Sequence, residues 1–409
     1  MAPARLALAV AAGMTLGSSA RAEPLRLDDA LARARVASPA LHAAAADLDA
    51  ARGRLAQARL IPANPVVSAE LARHTAPGEE QVDRGVAVAQ ELEVGGQRGL
   101  RIAGAMHDVT RAEHALADRR RVVEGEVRRS FFALAASERR RLLAQESAGL
   151  AARIAETARR RERAGDVGAL DVRLADIETA RAAQAVAAAE SERAAAAARL
   201  GAALGAEIGE AITVSPVDGE APRLPAEADL IAHALAARPD LAAAREERAR
   251  LESEAALASR RGRVPNPVVK GFYRQELLDE RIVGGEISLP LPVWNREQGT
   301  EAALRAQAAA AAAEAGRLAV EIPRQVHVAL LRRSTAAEAW QRYQREALPA
   351  VAGARDLLER AEAAGYVGLP ERLLQQDRLL QVQAAAIDAW RDLHVAEADL
   401  VEAAGGALP

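Results

Sequence analysis

Apolar positions recur at heptad-like spacing through the middle of the first half of the chain: Leu116, Val123, Val127, Phe131 and Leu134, then Leu143, Leu150 and Ile154. They lie in a proline-free stretch from Arg98 to about Arg163, filled mostly by alanine, arginine, leucine and glutamate. These are strong helix formers, so the stretch predicts one continuous helix with a packed seam. At 1.5 Å per residue that helix would be on the order of 100 Å long, several times the diameter of a compact domain. Gly165-Asp166-Val167-Gly168 stops the pattern, and Ala169 to about Leu204 returns as a second helix through Leu170, Leu174, Ile177 and Val186.

Upstream, Leu27 to about Leu60 is also helical, with Leu31, Leu41, Leu48 and Leu55 on related faces and a break or kink at Ser38-Pro39. It stops at Pro62-Ala63-Asn64-Pro65, and the period changes to two. Val67, Ala69 and Leu71 alternate with Ser68, Glu70 and Ala72, which predicts a strand over about 66–74. After a polar loop from His74 to Asp83, Val86, Val88, Leu92 and Val94 alternate with Ala87, Ala89, Glu91 and Glu93, a second strand over about 85–94. Gly95-Gly96 leads into the long helix.

The same order then repeats about 200 residues later. Ser38-Pro39-Ala40-Leu41 returns as Arg238-Pro239-Asp240-Leu241, Asn64-Pro65-Val66-Val67 as Asn266-Pro267-Val268-Val269, and Gly165-Asp166-Val167-Gly168 as Gly365-Tyr366-Val367-Gly368. Strands are expected over about 268–276 and 282–291, followed by a second long helix from Arg296 to about Ala364 that Pro323 and Pro349 should kink. Pro216, Gly219, Pro222 and Pro225 mark a linker. The expected organisation is a first repeat over 23–209, a linker over 210–229 and a second repeat over 230–409. The two shorter helices of each repeat together match the long one in length, so they can stack end to end beside it.

Composition narrows the class. Alanine dominates, aromatic residues are 2% and Lys270 is the one lysine, a bias of long-helix and coiled-coil proteins. A net charge of −3 gives no reason to expect nucleic-acid binding, and the runs Arg119-Arg120-Arg121 and Arg139-Arg140-Arg141 fit a solvated helix face. Residues 1–22 have the form of a secretory signal peptide: Arg5, an apolar run Leu6–Leu16 and an Ala20-Arg21-Ala22 cleavage site. With no cysteine, disulfides, thiol catalysis and a lipidated cysteine are excluded. After the leader no apolar run reaches the 18 residues of a transmembrane helix, so contact with a membrane would be through strands or partners. Four strands leave open edges, which lipid does not tolerate. Bacterial barrels have even strand numbers of eight or more, so two copies would give eight strands and three would give twelve; an oligomer is implied.

At two places the sequence resembles the TolC family of outer-membrane efflux ducts, in particular the branch serving heavy-metal efflux of the cobalt-zinc-cadmium type. These are Gln90-Glu91-Leu92-Glu93-Val94-Gly95-Gly96-Gln97-Arg98-Gly99 and Ser288-Leu289-Pro290-Leu291-Pro292-Val293-Trp294-Asn295-Arg296-Glu297-Gln298-Gly299. The likeness covers the duplicated helix, hairpin, helix, helix order of the whole mature chain. It implies a mainly α fold with a small β part. Long antiparallel helical hairpins would form a periplasmic tunnel, and four strands per chain would contribute to a twelve-stranded barrel in a homotrimer. It also implies an outer-membrane location reaching into the periplasm, a periplasmic adaptor and an inner-membrane RND pump as partners, and no cofactor. The turns at Gly165, Asp166, Gly365 and Tyr366 would form the entrance where the adaptor docks. Asp171 falls on a position that helps latch the closed entrance, and Glu371 on one that forms an acidic ring in the pore. The next ring position is Leu374 and that of the latching arginine is Val367, so the family pattern is incomplete here. Three carboxylates converging on a threefold axis would attract divalent cations.

Each candidate also has a plain structural reading. Asp171 and Glu371 are first-turn acids, favoured near the positive end of a helix dipole. Glu91 and Glu93 are barrel-lumen candidates by alternation with Leu92 and Val94, or the wet face of a soluble hairpin. His107 and His114, seven apart, could share a helix face as metal ligands or be ordinary surface histidines. Phe272, Tyr273 and Trp294 are candidate interfacial anchors. No phosphate-binding glycine loop, HExxH or nucleophile elbow supports an enzyme, and no catalytic residue is assigned. The competing function is a periplasmic coiled-coil structural or adaptor-like protein without a pore, against which the second helical hairpin counts.

Overall fold

A computed structural model describes residues 24–76, 79–207, 209–216, 224–276, 280–364 and 366–406; the leader over 1–22 and Gly365 lie outside the described residues. The first repeat begins with α1 (Leu27–Ala37) and α2 (Pro39–Arg59). They are separated by Ser38, whose ψ of 120° is the extended backbone that a following proline imposes. β1 (Val66–Ala76) and β2 (Glu79–Glu91) follow, then α3 (Gln97–Arg163), 67 residues without a break, and α4 (Ala169–Leu204). The second repeat has α5 (Glu227–Ala237), α6 (Pro239–Arg263), β3 (Val268–Gln275) and β4 (Arg281–Ser288). Its long rod is α7 (Gln298–Arg342), a π-helical turn over Tyr343–Ala347 and α8 (Leu348–Ala363), after which α9 (Leu369–Ala404) returns.

Pro323 lies inside α7 without interrupting it. The second rod is interrupted only ahead of Pro349, where the ring removes the donor that the Arg345 carbonyl would need and the helix widens into the π turn. The strands differ from the alternation pattern at their ends. β1 and β2 run two residues beyond and six residues before the expected limits at their hairpin ends, so the polar segment from His74 to Asp83 is mostly strand, in register from His74↔Gln81 to Ala76↔Glu79. At the other end β2 stops at Glu91 and β4 at Ser288, three residues short of the expected 94 and 291 in each case. Gly95-Gly96 in the first repeat and Pro290 and Pro292 in the second turn the backbone toward the helices there and end the ladder.

The four strands form one antiparallel sheet in the order β1-β2-β3-β4, so the two repeats are joined through β2 and β3. The helices below keep the same order: α2 packs on α3, α3 on α6, and α6 on α7. Farther along the rods α4 takes the place of α2 beside α3, while α9 packs on α3, α7 and α8. Each pair of shorter helices therefore does stack end to end along a long one.

The core is concentrated at the waist, where the shorter helices meet. Leu31, Val127, Phe131, Leu134, Leu200, Leu204, Ile212 and Trp390 form one cluster. Leu230, Leu241, Ile322, Val326 and Leu400 form its counterpart in the second repeat. Trp390 carries the guanidinium of Arg139 over its ring at 3.6 Å, and the Phe132 ring stacks on His394 at 4.5 Å. The linker is drawn into the waist by Leu25, which pairs in parallel with Val214 and donates its N–H to the Thr213 carbonyl at 2.8 Å.

Candidate functional site

The sheet has two unlike faces, and register decides which residue lies on which. Cross-strand rows put Val67 beside Val88 and Gly271, Ala69 beside Val86, Tyr273 and Val283, and Val269 beside Ile287. This face is apolar and exposed: Val67 is 74% exposed, Val283 79% and Ile287 74%. The opposite face carries Ser68, Glu70, Glu91, Lys270, Phe272, Arg274 and Glu286. Lys270 reaches Glu286 directly across the β3–β4 pair at 3.2 Å, and Arg274 lies 3.6 Å from Glu70. The second pair spans β2 because Gly85, between them, has no side chain: a Cβ there would lie 3.3 Å from the stem of Arg274. Phe272 sits on this polar face, packed over Gly284 with the Arg274 guanidinium 5.3 Å from its ring centre. Of the three aromatic anchor candidates, Tyr273 is on the apolar face, Phe272 is on the opposite one, and Trp294 is 88% exposed in the connection after β4. No described helix is long and apolar enough to cross a membrane.

Between strands and helices lies a polar joint. Gln97, 1% exposed, accepts the Gly95 N–H at 2.7 Å and donates to the Val264 carbonyl at 2.8 Å and to Asn266 Oδ1 at 3.0 Å. Asn266 in turn donates to Glu91 Oε1 at 2.7 Å. Glu91 thus belongs to the polar face of β2, at its helix-proximal end. Glu93 does not: alternation fails because the ladder ends at Glu91, and its carboxylate turns into the joint to pair with Arg101, leaving the Glu93 side chain 8% exposed. Arg101 also caps α2 through the Ala58 and Leu60 carbonyls at 3.1 and 2.9 Å.

Below the joint, α2, α3 and α6 enclose a groove of about 950 Å³ walled by Arg54, Asp108, Arg111, Glu247 and Arg250. Burial pushes the Asp108 carboxyl up, but hydrogen bonds from Arg111 and Arg54 outweigh it and hold the group below its usual range. His107 Nδ1 lies 2.7 Å from Glu246 Oε2 on α6, and no cluster of three or more metal-ligating side chains occurs among the described residues. The joint and the sheet charges were missed from sequence, although the repeated Asn-Pro-Val-Val and the alternation of Lys270, Phe272 and Arg274 mark them.

At the far end, α3 closes with Gly165 at φ 82°; its N–H reaches the Glu162 carbonyl and that of Asp166 the Arg161 carbonyl, both at 2.9 Å. The second turn repeats the outer bond, from the Tyr366 N–H to the Ala361 carbonyl at 2.9 Å. Asp166 is exposed and Tyr366 is 86% exposed. Asp171, half-buried, accepts the Gly168 N–H at 3.3 Å and so caps α4. Glu371 is exposed and accepts from Gln375, and Leu374 beyond it is 49% exposed. Leu369 packs against Ala155, Ala158, Val172 and Ala175, bringing the start of α9 onto the α3–α4 hairpin.

The profile of the family described as Outer membrane efflux protein matches residues 30–206, from α1 to just beyond α4. The cobalt-zinc-cadmium resistance protein CzcC of Cupriavidus metallidurans is 30% identical over 292 residues, 68% of this chain and 65% of that protein. Residues 30–206 thus match the outer membrane efflux protein family. Solved channels share its fold. The outer-membrane channel OprN superposes with a TM-score of 0.77 at 19% identity, over 93% of this chain and 90% of that one. CusC, described in terms of transmembrane channel formation, gives 0.76 at 17% identity, over 93% and 92%. The aligned region spans just under two thirds of CzcC, whereas the fold shared with OprN extends over 93% of this chain.

Proposed function

We propose that three copies of this chain form the outer-membrane exit duct of a tripartite efflux system. The duct would receive divalent heavy-metal cations from an inner-membrane RND pump through a periplasmic adaptor. One observation carries the reading: a sheet with an exposed apolar face, an ion-paired polar face and two free edges stands on a layer of helices on the order of 100 Å long. A periplasmic coiled-coil protein without a pore has no use for large apolar side chains on the outside of its strands. In lipid the open edges of β1 and β4 need partners, and three copies close twelve strands with the apolar faces outward.

In that assembly Glu70, Lys270, Arg274, Glu286 and Glu91 line the barrel, while Glu93 serves the joint. The turns at Gly165, Asp166, Gly365 and Tyr366 form the entrance that the adaptor grips. Asp171 and Glu371 converge near the axis just inside it. The metal class follows from the resistance named for CzcC.

The test is deletion of the gene followed by growth on zinc, cobalt, cadmium, nickel and copper salts, with fractionation of the restored protein. Increased sensitivity to at least one of these ions and a trimer in the outer membrane are expected. Unchanged tolerance to all five would sink the metal assignment. A protein that washes off with salt would sink the duct.

A further inference from the structure

The duplication leaves one joint finished and its counterpart unfinished. Gln97 and Gln298 both open a long helix directly after a residue in the left-handed region, Gly96 at φ 75° and Glu297 at φ 59°. Each side chain accepts the N–H two residues earlier, from Gly95 and Arg296, at 2.7 Å in both cases. Glu297 is the one non-glycine residue with positive φ among those described, so this geometry is held even where no glycine eases it.

Beyond that bond the two joints diverge. The Gln97 amide is buried because α6 lies beside α3 and supplies the Val264 carbonyl and Asn266. Gln298 is exposed, and its amide turns back to the Trp294 carbonyl of its own connection at 3.2 Å. By the repeat, the residues equivalent to Val264 and Asn266 are Pro62 and Asn64, since β1 starts at Val66 and β3 at Val268 with the same Asn-Pro before each. Pro62 and Asn64 are also exposed, and they lie at the α2 edge of a layer whose opposite edge is α7. The two halves of the second joint therefore stand on opposite flanks of a single chain.

We propose that Gln298 of one protomer completes its joint on a second copy of this chain, donating its amide to the Pro62 carbonyl and Asn64 Oδ1 of the neighbour. This rests on the oligomeric duct reading and deepens it, because the contact between copies repeats one that the chain makes within itself. The connection from Ser288 to Gln298 is ten residues against eight from Ala89 to Gln97, and the extra length holds Pro290 and Pro292. Asn64 thus loses the counterpart of Glu91 as an acceptor, and the amide of Gln298 becomes the main polar tie across the seam.

The chain has no cysteine, so paired substitutions provide the only thiols. Asn64→Cys with Gln298→Cys, treated in membranes with a short bismaleimide, should give covalent dimers and trimers on a denaturing gel. Gln97→Cys with Asn266→Cys should link within the chain and leave a monomer of increased mass. Trimers by native sizing without covalent dimers in the first pair, while the second pair links, would overturn the joint but not the duct. Monomers by native sizing would overturn both. As a second measurement, Gln298→Ala should lower the temperature at which the trimer dissociates and leave monomer helicity unchanged, whereas Gln97→Ala should reduce both. No shift in dissociation temperature for Gln298→Ala would also count against the joint.

Discussion

The α-carbon of Gly205 faces the carbonyl of Ala37 so closely that a Cβ on it would lie 2.5 Å from the oxygen. Gly205 ends α4 at φ 65°, and Ala37 ends α1, so the contact pins the return helix to the α1–α2 break at the waist. The matching Gly405 ends α9 at φ 112° but has more room, with Ala237 Cβ 3.4 Å from the same hypothetical atom. Alanine at either site has a left-handed cost of about 1 kcal/mol. At Gly205 overpacking adds roughly 1–3 kcal/mol. Gly205→Ala should therefore lower the thermal midpoint of the purified protein, followed by circular dichroism in detergent, clearly more than Gly405→Ala. Equal drops would mean that Ala37 yields without cost.

Arg238 is buried at the start of α6 and donates to Asp240 at 3.0 Å and to Gln325 at 2.6 Å. Burial pushes the Asp240 carboxyl up, and the hydrogen bond and charge of Arg238 more than reverse this, so its pKa falls below the ordinary 3.8. A depressed folded pKa means that the pair stabilises the fold above about pH 4. That contribution is lost as pH falls through the lowered value. Asp240→Asn should cost about 2 kcal/mol at pH 7, the worth of a hydrogen bond to a charged group. The gap to the wild type should narrow at pH 3 and below, in denaturant titrations run at each pH. A gap independent of pH would show that packing, not ionisation, sets the loss.

The helices were legible in the sequence because their signals are local and repeated. The proline-free run from Arg98, the stop at Gly165 and the break at Ser38-Pro39 correspond to α3, its end and the α1–α2 boundary within a residue. The strand ends were not, because hydrogen-bond pairing continues past the hairpin polar residues and stops where the backbone turns toward the joint. Alternation alone could not see that turn, which is why Glu93 read as a partner of Glu91. The polar face was half visible: Lys270 and Arg274 share a parity, but the pairing of Lys270 to Glu286 depends on the β3–β4 register and that of Arg274 to Glu70 on the register between repeats. Pro323 shows the remaining gap, since a proline removes one bond yet α7 continues through it as helix.

Asp171 caps α4 and also stands where a gate latch is expected, and two substitutions separate those roles. Asp171→Asn keeps an acceptor for the Gly168 N–H and removes the charge, whereas Asp171→Ala removes both. If charge holds the entrance closed, both variants should raise conductance in planar bilayers several-fold over a nearly closed wild type. Fraying of the cap would raise it in the alanine variant alone. High conductance that is the same in all three proteins would remove the gate assignment.

Tyr366 offers the cleanest test of docking. It is 86% exposed at the second turn, and the turn is held by its backbone N–H rather than its ring. Gly165 is a poorer target, because any side chain there strains the left-handed turn at φ 82° as well as changing the surface. Tyr366→Ala removes an aromatic contact of the kind that dominates protein interfaces, where a central residue is worth about 2 kcal/mol or more. The expected outcome is a trimer of unchanged melting temperature that binds the adaptor roughly 30-fold more weakly, since about 1.4 kcal/mol is a factor of ten. Metal tolerance in cells should fall accordingly. Unaltered adaptor binding by the stable trimer would place the docking surface elsewhere, whatever the effect on growth.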